Sequence, residues 1–232
     1  MIRATRRLGL VGAVCCLLAL ALCATDARAA LAGWLAAFVM LGAVPLGALA
    51  LCMMVRLMPG PWGAEVGETG EMLATLLPLA CLAVLPVLIG THELYPWATG
   101  AADPGFRGVY LSVWFFCLRS VLFLAGALIL AFLMMTRRAW ALPLAAGGLI
   151  VFVLLDTTVV TDWLMSLDAD FDSSGFGLYV LSIQMTIALA LVVVIRLAAA
   201  SGQARADLLG VLMLVALLLW EYFAFMQYFI IW

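Results

Sequence analysis

Lysine is absent from this 232-residue chain, histidine occurs once, and charged residues of every kind make up only 10% of it. All eleven basic residues are arginine, a bias from which no function follows. So little charge against 68% apolar residues excludes a soluble globular domain. His92, standing alone, excludes one cofactor arrangement, because a bis-histidine haem between helices needs two imidazoles and this chain cannot supply them. The six cysteines (Cys15, Cys16, Cys23, Cys52, Cys81, Cys117) lie in apolar segments without CxxC or CxxCH spacing. Neither attached c-type haem nor a thiolate metal site is supported, and they read as small core residues. The net charge of −2 says little, since in such a chain the placement of charge matters more than its sum.

What the chain does have is one long apolar run after another. A bilayer core requires ~20 residues of helix, and these runs are too long and too weakly alternating for barrel strands. Irregular backbone cannot face lipid either, so the fold class is an all-α membrane protein, a polytopic helical bundle. Six spans are expected at roughly 31–57, 71–91, 110–135, 140–163, 174–198 and 207–231, each near that length. Before them, Arg3, Arg6 and Arg7, an apolar stretch from Leu8 to Cys23 and the small residues around Ala27 and Ala29 make a signal-peptide pattern. Residues 1–29 are therefore a signal peptide or an uncleaved N-terminal seventh helix, and residues 30–232 a six-helix transmembrane domain.

Charge orients the bundle. Arg56, Arg137, Arg138, Arg196 and Arg205 fall at alternate span ends, while the opposite ends hold His92, Glu93, Asp103, Asp168, Asp170 and Asp172 with only Arg107. Basic connectors face the cytoplasm, so the acidic 164–173 turn and the C-terminus are expected on the periplasmic side of a bacterial inner membrane. Pro45, Pro78, Pro86 and Pro143 lie in or at the start of spans, where a missing N–H bends a helix. The connector MPGPWGAEVGETGE reads as a solvated loop with Trp62 as an interfacial anchor. Tyr95, Trp97, Tyr110 and Trp114 read as an aromatic belt, and His92 with Glu93 as surface anchoring or a proton relay.

Five aspartates fall within seventeen positions, from Asp156 to Asp172, beside long apolar runs. A carboxylate in hydrocarbon costs several kcal/mol unless it is paired, wetted or protonated. Counting inward at ~1.5 Å per residue, Arg119, Asp156, Gln184 and Glu221 lie on four successive spans at one depth, ~10–15 Å below the outer surface. They are expected to converge, with Arg119 paired to one carboxylate, either as a structural ion pair that fixes register or as part of a proton path. Thr158 and Asp162, four apart on one face, would lead from this band to Asp168, and such a file of carboxyls and hydroxyls suits proton conduction.

The stretches LPLACLAVLPVLIGTHELYPWA (77–98), YLSVWFFCLRSVLF (110–123), DWLMSLDADFDSSGFGLY (162–179) and the last span from 207, together with Trp62-Gly63, carry a family resemblance. They resemble, in order, the second NrfD-like membrane subunit (ActF type) of alternative complex III, a bacterial quinol:cytochrome c or electron-acceptor oxidoreductase. The resemblance covers nearly everything after the first span. It implies a non-catalytic, cofactor-free membrane subunit with a proposed share in carrying protons, whose partners are a multihaem cytochrome c, an iron–sulfur subunit and a quinol-binding NrfD-like subunit. Matching motif positions are His92, Tyr95, Trp97, Arg119, Asp162, Trp163, Ser166, Asp168, Ser174 and Gln227. Two departures stand out: Ala169, Asp170 and Phe171 replace a PHW-like turn, and the family's further C-terminal helices are not present, as in a short form or a fragment.

Three functions thus compete. The first is the respiratory subunit, with Arg119, Asp156, Thr158, Asp162, Asp168 and Glu221 as proton-path residues. The second is a direct quinone or quinol site at His92, Tyr95, Trp97 and Asp162. The third is an independent transporter, against which stands the lack of a visible inverted repeat.

Overall fold

The computed structural model describes residues 2–22, 25–100, 105–168, 171–199 and 205–231. Cys23, Asp103, Ala169, Asp170 and Trp232, named above, lie outside them. Twelve α-helices occur among the described residues, with no strand. They are α1 (Ile2–Leu22), α2 (Ala27–Leu57), α3 (Pro61–Ala74), α4 (Leu77–Ala83), α5 (Leu85–Ile89), α6 (Thr91–Leu94), α7 (Pro96–Thr99), α8 (Phe106–Tyr110), α9 (Val113–Thr136), α10 (Ala141–Trp163), α11 (Phe176–Ala199) and α12 (Ala206–Ile231). Single 3-10 turns at Arg138–Trp140 and Met165–Leu167 flank α10. Six apolar helical segments are long enough to cross a bilayer, so the chain is an integral, multi-pass membrane protein.

The organising element is α2. Asp26 caps it, its carboxylate accepting from the Ala29 N–H at 3.0 Å, so Ala27–Ala29 form its first turn. Every residue from Gly42 to Met53 is buried, as a helix that is apolar all round must be. Its apolar window is 72% buried, against 6% for α12, which makes α2 the hub and α12 the periphery. Around α2 pack α3, α4, α9, α10 and α11, and α12 leans on α11. Pro45 does not break α2, but the second span is broken twice, before Pro78 and before Pro86. At the second break the Val87 N–H turns to Val84, leaving the Ala83 carbonyl without its helical partner. Trp34 of α2 satisfies that carbonyl through its indole N–H at 2.7 Å.

One expectation is overturned here. The stretch read as a solvated loop is helix α3, and the second span runs from Pro61 to Ile89. Pro61 occupies the first helical turn, where a proline starts a helix well. Glu65 and Thr69 are buried, and two ion pairs tie α3 in: Arg56 with Glu71, and Arg196 Nη2 with Glu65 Oε2 at 2.8 Å. Pairing replaces the water that a loop reading had assigned to those acids. Cys52 is buried and Cys81 and Cys117 partly so, whereas Cys15 and Cys16 are exposed on α1.

Close approach of backbones sets the helix spacing. A Cβ placed on Gly47 of α2 would lie 2.1 Å from the Gln184 carbonyl oxygen of α11, a main-chain atom that cannot move aside. Gly47→Ala should therefore lower stability in detergent by about 1–3 kcal/mol, the range for overpacking. Gly126→Ala, where nothing lies within 4 Å, should leave the melting temperature unchanged. Equal behaviour of the two variants in thermal unfolding would contradict this packing.

Candidate functional site

At the acidic end of the bundle the chain segments 91–99, 110–120 and 162–166 meet. Tyr95 precedes Pro96 and is extended (φ −102°, ψ 123°), as a residue before proline prefers, so its ring turns inward. It is 1% exposed, and its hydroxyl donates to the Trp163 carbonyl at 2.9 Å. That carbonyl is one of the last of α10 and has no helical partner of its own. Ser166 donates to the neighbouring Asp162 carbonyl, and Trp97 Nε1 donates to Ser166 Oγ at 3.1 Å. Trp163 Nε1 donates to the buried Ser120 of α9 at 2.9 Å. The rings of Tyr95, Trp97 and Phe116 sit 5.1–5.5 Å apart, and Phe38 of α2 lies edge-on to Trp163 at 4.9 Å.

Arg119 and Asp162 form the charged part of this node. Arg119 Nε donates to Asp162 Oδ2 at 2.6 Å, and Nη1 donates to the Tyr110 carbonyl at 2.9 Å. The guanidinium lies over the rings of Tyr110, at 4.0 Å, and Phe115, at 4.4 Å, so aromatic faces cover the cation. Asp162 is 1% exposed; its Oδ1 makes no hydrogen bond of good geometry, and the Tyr110 hydroxyl lies within reach of the carboxylate. It lines a pocket of about 220 Å³ walled by Phe106, Tyr110, Ser166, Asp168 and Phe171. A buried carboxylate oxygen left as a bare acceptor is suited to a ligand that brings a hydrogen-bond donor.

A second buried pair lies deeper. Gln184 Nε2 of α11 donates to Asp156 Oδ1 of α10 at 3.1 Å, and Asp156 is wholly buried. Asp156 Oδ2 and Gln184 Oε1 have no partner. A proton on Asp156 would turn one of these two acceptors into a donor.

The expected four-way convergence does not form. Arg119 pairs with Asp162, not with Asp156, because positions six apart on a helix are rotated by about 600° and point to different neighbours. Asp156 faces α11 and Asp162 faces α9. Glu221 is exposed: α12 packs on the bundle through Leu212, Met213 and Ala216, with Gln227 bonded to Ser173, and Glu221 lies off that stripe. Thr158 donates to the Leu154 carbonyl of its own helix at 2.8 Å. Asp168 is exposed in the turn. His92 and Glu93 are exposed as well, His92 Nδ1 lying 3.1 Å from the Ala98 carbonyl. Tyr95 is not a belt residue but core, and Trp97 is partly buried beside it. Of the belt, Trp114 alone is exposed.

Sequence reasoning passed over Ser120 and Ser173, the latter donating to Gln227 Oε1 of α12 at 2.5 Å. Small hydroxyl residues in an apolar helix, as at Ser120, or in a turn, as at Ser173, carry little signal. The Glu65–Arg196 pair is hidden in the sequence because the stretch that forms α3 resembles a loop. No cluster of three or more His, Cys, Asp or Glu suited to a metal occurs among the described residues. No family model matches the chain, and comparison with curated proteins gives no match either.

Burial, and after it the charge of Asp162, push the Tyr95 hydroxyl above the ordinary tyrosine range. The group is thus a neutral donor near neutrality. Its contribution to stability is complete below the unfolded pKa of about 10 and falls as pH rises past it, where the unfolded chain releases a proton that the folded chain keeps. Tyr95→Phe should cost about 1–3 kcal/mol at neutral pH by leaving the Trp163 carbonyl unpaired. It should also flatten the loss of stability above pH 10. Parallel alkaline declines for both proteins in detergent would refute the assignment.

Proposed function

We propose that this chain is a cofactor-free integral membrane subunit of a respiratory quinol-oxidising electron-transfer complex, without turnover of its own, in the bacterial inner membrane. One observation carries the reading. Tyr95, Trp97, Arg119, Asp162, Trp163 and Ser166, which come from three separate stretches resembling the NrfD-like subunit of alternative complex III, meet in one hydrogen-bonded node. Residues that match a family motif by chance have no reason to touch. The arginine asymmetry supports a periplasmic position for the acidic end. In this role the node locks α9, α10 and the 91–99 segment as a rigid face, and the Asp156–Gln184 pair is the group best built to hold a proton inside the bundle.

A second reading has its own support. The unpartnered Asp162 Oδ1 at the 220 Å³ pocket suits a quinol hydroxyl, with Asp162 accepting its proton. Tyr95 and Trp97 would then serve only by holding Ser166 and the end of α10.

Blue-native electrophoresis of gently solubilised native membranes, followed by mass spectrometry, should place the chain with multihaem and iron–sulfur polypeptides. Migration alone would contradict the subunit reading. In the isolated complex, Asp162→Asn should slow quinol oxidation by about a hundredfold if Asp162 is the proton acceptor. Unchanged quinol oxidation would remove the second reading and leave the first.

A further inference from the structure

Asp156 is wholly buried and Gln184 is 3% exposed, yet only half of the hydrogen bonding between them is made. Gln184 Nε2 donates to Asp156 Oδ1 at 3.1 Å, while the second oxygen of each group, Asp156 Oδ2 and Gln184 Oε1, has no partner. An ionised carboxyl and an amide carbonyl only accept, so these two oxygens cannot satisfy one another. Among the described residues Gln184 is the one polar side chain bonded to Asp156, and the helices packed on this junction bring no cation to it. From α9, Arg119 is bonded to Asp162, which is also the nearest titratable neighbour on α10 itself. From α11, Arg196 lies twelve residues past Gln184 and is engaged by Glu65. Helix α2 has no charged side chain from Gly42 to Met53, and its one titratable group there, Cys52, stands five residues past the Gly47 that meets Gln184. A buried carboxylate held by a single neutral hydrogen bond is costly, and such a group is relieved by taking up a proton.

We infer that Asp156 is a proton-binding site occupied near neutral pH, and that the bound proton closes the pair into a ring of two hydrogen bonds: Oδ2–H donates to Gln184 Oε1 while Nε2–H donates to Oδ1. A carboxylic acid and a primary amide are complementary in this way, and one proton gives a partner to both orphaned oxygens at once. The junction of α10 and α11 is then held by a neutral pin, where the junction of α9 and α10 is held by a charged one. Asp156 has no exposed surface, so its proton reaches water only when the two helices part. The inference deepens the role that the subunit reading gives this pair, but it rests on the bundle alone and is read on the isolated chain. Comigration with a complex decides the subunit reading separately, so either can fail without the other.

Infrared difference spectroscopy of the full chain in detergent, wild type against Asp156→Asn, reads the protonation state. Near neutral pH the wild type should show the C=O stretch of a protonated carboxyl that Asp156→Asn lacks. Gln184→Met, which keeps the bulk and removes the amide, should move that band to higher frequency without abolishing it, because the carbonyl loses its donor. In heavy water the band should take its deuterated position on the order of tenfold more slowly than the amides of the exposed helix ends exchange. Asp156→Asn keeps an acceptor and supplies an N–H in place of the O–H, so its unfolding constant should stay within about threefold of the wild type; Asp156→Leu, which strands both polar atoms of Gln184, should raise it at least about tenfold. A difference spectrum in which Asp156→Asn removes an ionised carboxylate, or a band that deuterates as fast as the surface amides, would overturn the inference. Should Asp156→Asn fail to fold, carbon-13 labelling of aspartate in the wild type carries the test: the protonated band should shift with the label, and the absence of any such aspartate band would be equally fatal.

Discussion

Arg119 and Asp162 need each other because each sits toward the wrong end of its own helix. Asp162 is the penultimate residue of α10, where the backbone dipole is negative, and Arg119 lies in the second turn of α9, nearer its positive end. Apart, each would be a poorly solvated charge in an unfavourable field. Together, at 2.6 Å and with two aromatic rings over the guanidinium, they are neutral in sum. The pair fixes the rotation of both helices, and that rotation brings Trp163 to Ser120, Tyr95 to the end of α10 and Trp97 to Ser166. A hydrophobic contact has no such angular demand.

The same logic recurs elsewhere in the bundle. Asp156 with Gln184 joins α10 to α11 at the level where Gly47 lets α2 and α11 touch backbone to backbone. Arg56 with Glu71 and Arg196 with Glu65 hold α3 against α2 and α11 at the arginine-bearing end. Polar groups in this protein are thus register pins between neighbouring helices, set into packing that is otherwise nonspecific. Glu221, exposed on α12, is the exception.

Much of the architecture was legible because hydropathy is additive: a run of apolar residues long enough to cross a bilayer needs no partner to be recognised. The six spans fall where the apolar runs lie, apart from the second, whose start at Pro61 was hidden by three glycines and three acids that resemble a loop. That Arg119 would take a carboxylate was also legible. Which one it takes depends on helix rotation, and rotation depends on packing that no single segment encodes. Tyr95 and Trp97 went unread as core for a related reason: their aromatic rings and polar tips suit an interface equally well, and only the Pro96 turn sends them inward. Glu221 shared a depth with its supposed partners but not a face.

The functional reading stands on that node, so its energetics are the place to press. Thermal unfolding in detergent of Arg119→Gln, Asp162→Asn and the double variant forms a double-mutant cycle across the pair. Each single change should cost about 3–5 kcal/mol, since it strands a buried charge. The double should cost markedly less than the sum of the two. Losses that simply add would mean that the two groups are independent and that the acidic end is held by something else.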